Sequence, residues 1–224
     1  MLQRVLEPEV MDTVEEARDY DAMDHTAVNA AFVSDFLMRW SGVGEVLDVG
    51  TGTAQVPIAL CQRLATVRVV GVDLAVHMLS IGNENVCRAG LRDRVTLERC
   101  DAKRLPYADC RFAAVMSNSI VHHIPEPSVV LGEMIRVLQP GGWLFVRDLM
   151  RPEDDAMLQH LVATYAAGAN AHQRQLFAQS LHAALTLDEV RDRVEALGYC
   201  PAEVQQTSDR HWTWCTCKRG PNSP

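Results

Sequence analysis

The stretch Val46-Leu47-Asp48-Val49-Gly50-Thr51-Gly52-Thr53-Ala54-Gln55-Val56-Pro57-Ile58-Ala59-Leu60 constrains this chain more than any other. It reads as a buried strand, a glycine turn and a helix start. Gly50 and Gly52 let the backbone bend sharply and approach a ligand with no Cβ in between. A dinucleotide-binding turn would place a third glycine at position 55, where the chain has Gln55, and does not call for the acid Asp48. Both departures favour a different ligand for the same kind of grip.

Val67-Arg68-Val69-Val70-Gly71-Val72-Asp73 is a β-branched run ending in an acid. It lies about 20 residues beyond the glycines, the spacing of a carboxylate that takes a ribose diol. Asp73 therefore suits NAD or any adenosine ligand. A third strand, Val95 to Cys100, runs into Asp101-Ala102, and a fourth, Phe112 to Asn118, ends in Ser117-Asn118. Ligands of open parallel sheets bind beyond the carboxyl ends of the strands, so these residues should share one crevice.

The series Asp48-Val49-Gly50-Thr51-Gly52-Thr53, Asp73, Asp101-Ala102 and Leu138-Gln139-Pro140-Gly141-Gly142-Trp143-Leu144 closely resembles the motifs of class I S-adenosylmethionine-dependent methyltransferases, over roughly residues 15 to 215. The resemblance is greatest to the small-molecule branch that includes the ubiquinone and menaquinone biosynthesis methyltransferases, where a His-His pair follows the fourth strand as His122-His123 does here. It implies an α/β, Rossmann-like fold with a seven-stranded, mainly parallel sheet, an antiparallel last strand and helices on both faces. It also implies S-adenosyl-L-methionine as cofactor. The methionine part would lie over Gly50, Thr51 and Gly52 with Asp48 near its ammonium, Asp73 would take the ribose, and Leu74 and Met78 would sit near the adenine. Asp101 and Ala102 would bond the adenine edge. Tyr20, in the lid-like segment Tyr20 to His25, would cover the sulfonium, to which its ring face is attracted.

Composition agrees with one enzyme domain: 224 residues, 48% of them hydrophobic, are enough for one sizeable core. The formal charge of −8 argues against nucleic acid as substrate, because phosphate binders show basic faces. No run approaches the roughly 18 apolar residues of a membrane span, and Met1 to Glu7 has no apolar signal core, so a cytoplasmic location is expected. The seven cysteines are odd in number and scattered, which predicts neither a disulfide framework nor a bound metal. Cys215-Thr216-Cys217 alone is closely spaced, and it has no second cluster to complete a zinc site. A substrate role for thiols, as in some arsenic methyltransferases, stays open.

Three pieces organise the chain. Residues 10–40 should form a helical lid, with Ala27, Ala31, Phe32, Phe36 and Leu37 recurring at helical spacing. Residues 45–149 alternate strands and helices, the pattern of a parallel sheet covered on both faces. Residues 151–184 form a helical insertion, followed by a helix from Thr186 whose capping box is completed by Glu189 and which stops at Gly198. Ala202 to Thr207 and Trp212 to Lys218 make a closing hairpin, and the tail from Gly220 should be loose.

A sulfonium methyl is already activated, so the protein has to align the nucleophile, exclude water and remove a proton where one must leave. His122 and His123, in the loop after the fourth strand, are the acid-base candidates, with His123 favoured because Ile124-Pro125 should fix its direction. Tyr165 and Arg174 are candidates for the acceptor site, the arginine for a carboxylate or phosphate on a small-molecule methyl acceptor. The N-terminal helix and Met150 to Leu158 are alternative faces for a homodimer. Two other functions fit the same residues less well: an NAD-dependent dehydrogenase, and a non-catalytic module that binds S-adenosylmethionine. The acceptor atom stays undetermined, because one fold hosts methylation of nitrogen, oxygen, carbon and sulfur.

Overall fold

The computed structural model describes residues 2–7 and 12–220. Two helices come first, α1 (Val14–Asp21) and α2 (Thr26–Leu37). Strands and helices then alternate: β1 (Glu45–Val49), α3 (Gln55–Arg63), β2 (Arg68–Asp73), α4 (Val76–Arg88), β3 (Val95–Arg99), β4 (Phe112–Asn118), a 3-10 turn (Val121–His123), α5 (Pro127–Val137) and β5 (Leu138–Leu149). The chain continues through α6 (Asp155–Tyr165), α7 (Ala171–Ala183), α8 (Leu187–Ala196), β6 (Val204–Gln206) and β7 (His211–Cys217). The strand order is β3-β2-β1-β4-β5-β7-β6. Pairing is parallel from β3 through β2 and β1 to β4, and antiparallel between β6 and β7, as the motif series implied. The order reverses between β1 and β4, the switch point beside which sheets of this kind open a crevice.

Capping residues set several helix starts. Thr13 with Glu16 and Asn170 with Gln173 form capping boxes on α1 and α7, and Thr186 with Glu189 forms the expected one on α8. Each satisfies backbone N–H groups that a first turn leaves without a partner. Gly198 has φ of 83°, the left-handed conformation that ends α8 cheaply. The closing hairpin is shorter than its sequence suggested, because Pro201 opens a 3-10 turn over Pro201–Glu203 and leaves β6 only Val204–Gln206. Residues 221–224 of the tail, and residues 10 and 11 at the start of the expected lid, lie outside the described residues.

Contacts divide the chain into two compact units. One comprises Val10–Asn118, Val129–Val146 and Cys215–Pro224. Its core joins Phe32, Val33 and Phe36 of α2 to Val46, Ala114, Met116 and Phe145 on the strands. Phe32 meets the Phe145 ring edge-on at 5.1 Å, and Phe36 stacks on Trp40 at 5.2 Å. The buried face of α2 is rotated from the one expected. Ala27 and Ala31 are exposed, while Asn29, Phe32, Val33 and Phe36 point inward. Large rings gain more from burial than alanine methyls do, so they decide which way the helix turns. The other unit comprises Met1–Glu9, Ser119–Ser128 and Arg147–Trp214. There α6 and α7 bury Leu158, Leu161, Val162 and Leu181 together with Leu149.

Phe36→Ala should lower unfolding stability by about 3–5 kcal/mol in urea denaturation, the usual effect of emptying a packed ring site. Ala31→Ser, on the exposed face of the same helix, should change it by no more than about 0.5 kcal/mol. Equal effects would mean that the helix is rotated the other way.

Candidate active site

Hydrogen bonds weld the turn after β1 to the end of β2. The N–H groups of Gly50 and Thr51 both donate to the Val72 carbonyl, at 2.8 and 3.0 Å. The Gly52 N–H donates to Asp73 Oδ2 at 2.8 Å, while Asp73 Oδ1 accepts from Ala75 N at 2.9 Å. Gly50 and Gly52 hold φ of 75° and 52°, where a side chain would be strained. Gly82 on α4 matters for another reason. A Cβ there would lie 3.2 Å from the Gly52 carbonyl oxygen, so only glycine lets α4 press so closely on the turn.

The residues at this turn form a small cleft lined by Tyr20, Asp48, Gly50, Thr51, Thr53 and Asn118. Asp48 is 2% exposed, and burial, reinforced by the neighbouring Asp73 charge, pushes its carboxyl up to about 7. The buried Thr53 hydroxyl has no hydrogen-bond partner among the described residues. A ligand bearing a cation and hydrogen-bonding groups is what such a lining lacks. Among the described residues no side chain caps the N-terminus of α3, which leaves the Gln55 and Val56 N–H groups available to a carboxylate. Burial and the Asp73, Asp48 and Asp21 charges raise the Tyr20 hydroxyl to about 12, so it stays a neutral ring over the turn.

A polar chain latches the two N-terminal helices to this turn, and the sequence reading did not find it. Asn29 donates to Gln55 Oε1 at 3.2 Å, and Gln55 Nε2 donates to Asp21 at 3.2 Å. Asn85 Nδ2 donates to Asp21 at 2.8 Å and to the Thr53 carbonyl at 3.1 Å. Gln55 stands where a dinucleotide turn has its third glycine, and here its amide joins Asn29 of α2 to Asp21 of α1. The departure from the glycine pattern was the only signal of it.

The other expected residues of this unit are placed as follows. Leu74 is half-buried, and Met78 packs beside Ala17 and Ala75. Asp101 accepts from Lys103 N at 2.9 Å, and Ala102 is half-buried in the same turn. The Ser117 hydroxyl is buried and donates to the Val49 carbonyl at 2.8 Å, tying β4 to β1 at the switch point.

The second unit carries both histidines. His122 is 3% exposed, with Nδ1 2.5 Å from Asp148 Oδ1 and Nε2 3.5 Å from Glu7 Oε1. Burial alone would lower its pKa, but Asp148 and Glu7 outweigh that and raise it. Asp148 also accepts the backbone N–H groups of Val121, His122 and Leu149, so it organises the whole loop. It lies near the carboxyl end of β5, the position at which Asp73 and Asp101 were recognised as candidates, and the same rule would have found it. His123 Nδ1 lies 3.1 Å from Glu7 Oε1. Arg4 donates to the carbonyls of Ala183, His122 and Ile124, which pins the N-terminal segment to this loop. No sequence pattern pointed to Arg4 or Glu7. Tyr165 is exposed and donates to Asp209 at 2.6 Å under the Arg210 guanidinium, while Arg174 is exposed on α7.

Residues 46–142 match the protein family described as "Methyltransferase domain". Demethylmenaquinone methyltransferase of Bacteroides fragilis is 32% identical over 115 residues, which are 51% of this chain and 47% of that protein. The 27-O-demethylrifamycin SV methyltransferase of Amycolatopsis mediterranei is 29% identical over 75% of this chain and 59% of its own length. The chain thus spans about half the length of the first curated relatives it matches. Among solved structures, an Aquifex aeolicus SAM-dependent methyltransferase superposes with a TM-score of 0.65 at 17% identity, covering 91% of this chain and 97% of that one. The plantazolicin methyltransferase, solved with SAH, gives 0.67 at 18% identity over 82% and 67%. The chain has the class I methyltransferase fold, and in sequence it is similar to the ubiquinone and menaquinone biosynthesis methyltransferases.

Asp48 has a measurable signature in the free protein. Its folded carboxyl, at about 7, lies above its usual 3.8, so the folded state binds more protons between those values. That contribution to stability is complete below pH 3.8 and is lost as pH rises through 7. Asp48→Asn should therefore flatten the fall in denaturation midpoint between pH 5 and 8. An unchanged slope would show that Asp48 is already ionised there.

Proposed function

We propose that this chain, whose residues 46–142 match a methyltransferase-domain family and whose fold is shared with methyltransferases of known structure, moves a methyl group from S-adenosyl-L-methionine to a small-molecule acceptor. The observation that carries the reading is the buried Asp48 beside the glycine turn, under Tyr20, in a cleft that a cation would complete. The cofactor ammonium would pair with Asp48, and its carboxylate would face the N–H groups that begin α3. Asp73 already bonds Gly52 and Ala75 through separate oxygens, and each oxygen keeps a further lone pair for a ribose hydroxyl. Leu74, Met78, Asp101 and Ala102 would receive the adenine, with Ser117 and Asn118 closing the switch point.

When bound, the cofactor supplies an activated methyl group. The work left to the chain is to hold the donor, exclude water with the Tyr20 lid and set the acceptor in line. His122 and His123 are the groups we assign to the acceptor's hydroxyl or its proton. His122 has the better support, because Asp148 orients its ring, whereas the sequence had favoured His123. Tyr165 and Arg174 are our candidates for the acceptor's polar groups. The acceptor is polar or anionic and moderately small. The relatives support a small molecule, since their names refer to demethylmenaquinone and 27-O-demethylrifamycin SV.

No helix of the described residues is long and apolar enough to cross a membrane. We assign a reducing, cytoplasmic setting, with which an odd number of scattered cysteines agrees. A homodimer would use the face around exposed Met38 and Val43 or that around exposed Met157.

Calorimetric titration tests the cofactor. S-adenosylmethionine and S-adenosylhomocysteine should bind and NAD should not, and Asp73→Ala should weaken both ligands about 10- to 100-fold through lost charged hydrogen bonds. Binding of NAD alone would return the chain to the dehydrogenase class. Because the ammonium requires ionised Asp48, affinity should rise as pH increases from 5.5 to 7.5, and Asp48→Asn should abolish that rise. Gln55→Ala should weaken the cofactor severalfold by releasing the lid, with little change in melting temperature. Saturable cofactor binding without turnover on any small-molecule acceptor would favour the non-catalytic module.

A further inference from the structure

Three ligand atoms in the second unit converge on one point: Glu7 Oε1, His122 Nε2 and His123 Nδ1 all lie within 4.8 Å of one another. Glu7 Oε1 is 3.5 Å from His122 Nε2 and 3.1 Å from His123 Nδ1. Two donors that each bind a cation at about 2.1 Å stand about 3.0–3.4 Å apart at octahedral or tetrahedral angles. The Glu7–His123 pair falls within that range and the Glu7–His122 pair about 0.1 Å beyond it, so small side-chain shifts would seat all three around one ion.

We propose that Glu7, His122 and His123 form a binding site for a divalent transition-metal ion of the zinc, cobalt or iron(II) class. Each ligand is held from behind, as metal ligands usually are. Asp148 takes Nδ1 of His122, which leaves Nε2 to face the site. Ser180 donates to Glu7 Oε2 at 3.3 Å, which leaves Oε1 for the ion. The Glu7 side chain is 7% exposed, and among the described residues its buried Oε1 makes no regular hydrogen bond but faces the two imidazole nitrogens, which pair with it as cations when protonated and can share an ion with it when neutral. Two imidazoles and a carboxylate suit zinc, cobalt or iron(II) better than magnesium or calcium, which prefer all-oxygen shells. Arg4, which bonds the His122 and Ile124 carbonyls, adds one positive charge nearby, but Glu7 and Asp148 contribute two negative ones.

Three protein ligands leave a coordination position open, as in catalytic rather than structural zinc sites. With the ion bound, the histidines would act on the acceptor through the metal and not as bases themselves: the open position would take an acceptor hydroxyl oxygen, whose proton would leave to solvent, which makes hydroxylated acceptors the expected class. That last step rests on the methyltransferase reading, but metal binding itself does not.

The test uses the full chain, stripped with a chelator and titrated with cobalt(II) and then zinc(II). Cobalt should bind at one equivalent per chain, with ligand-field bands and no thiolate charge-transfer band, and zinc should displace it. Glu7→Gln and His123→Ala should abolish binding, and Asp148→Asn should weaken it about 10- to 100-fold. Circular dichroism of each variant separates lost binding from lost folding. Absence of saturable binding, or a thiolate band indifferent to Glu7→Gln, would overturn the proposal. S-adenosylmethionine titrated into the same samples reports on the glycine-turn site separately, so failure of one reading is not mistaken for failure of the other.

Discussion

The turn between β1 and α3 holds its shape because β2 holds it. Val72 accepts two of its N–H groups, and Asp73 accepts a third, from Gly52. In the free chain, a glycine pair loses more backbone entropy on ordering than any other residues would. These bonds, which reach across from a neighbouring strand, offset that loss. Once the turn is set, Asp48 is trapped behind it, α4 can approach only through Gly82, and Tyr20 has a floor to cover. Asp73 therefore has a structural task in the free chain as well as the one assigned to it with cofactor.

The latch over this site is polar for a physical reason. An apolar contact between α1, α2 and the turn would gain free energy simply by staying shut. Amide-to-carboxylate bonds such as Gln55 to Asp21 exchange with water at small net free energy, so they fix the direction of the two helices while adding little to their stability. The aromatic core beneath, where Phe32 and Phe36 meet Phe145, anchors α2 independently of the polar contacts at Asn29. Stability and direction are thus assigned to different residues of the same helix.

In the loop after β4, Asp148 accepts three backbone N–H groups and one imidazole, and it is wholly buried. A carboxylate so supplied with donors stays ionised, and its pKa falls below the usual value even though burial opposes this. It fixes the direction of His122, while Arg4 and Glu7 fix the backbone and the far ring edges of the same loop. A positively and a negatively charged residue of one short segment thus frame both histidines.

The alternation of β-branched runs with helical periods, the glycine turn and the acids at strand ends are local patterns, so the sheet, its parallel order and the Asp48 and Asp73 positions could be read from the sequence by itself. So could the capping box at Thr186, which needs only residues three apart. The rotation of α2 could not, because Ala27, Ala31, Phe32 and Phe36 share a helical stripe and only the volume available beneath the helix selects among its edges. Nor could the latch through Asp21, Gln55 and Asn85, or the meeting of Glu7 with His122 and His123. These join residues far apart in the chain, and no local energy term brings them together. Tertiary packing decided them, by holding the N-terminal segment against α7 beside the loop that Asp148 shapes.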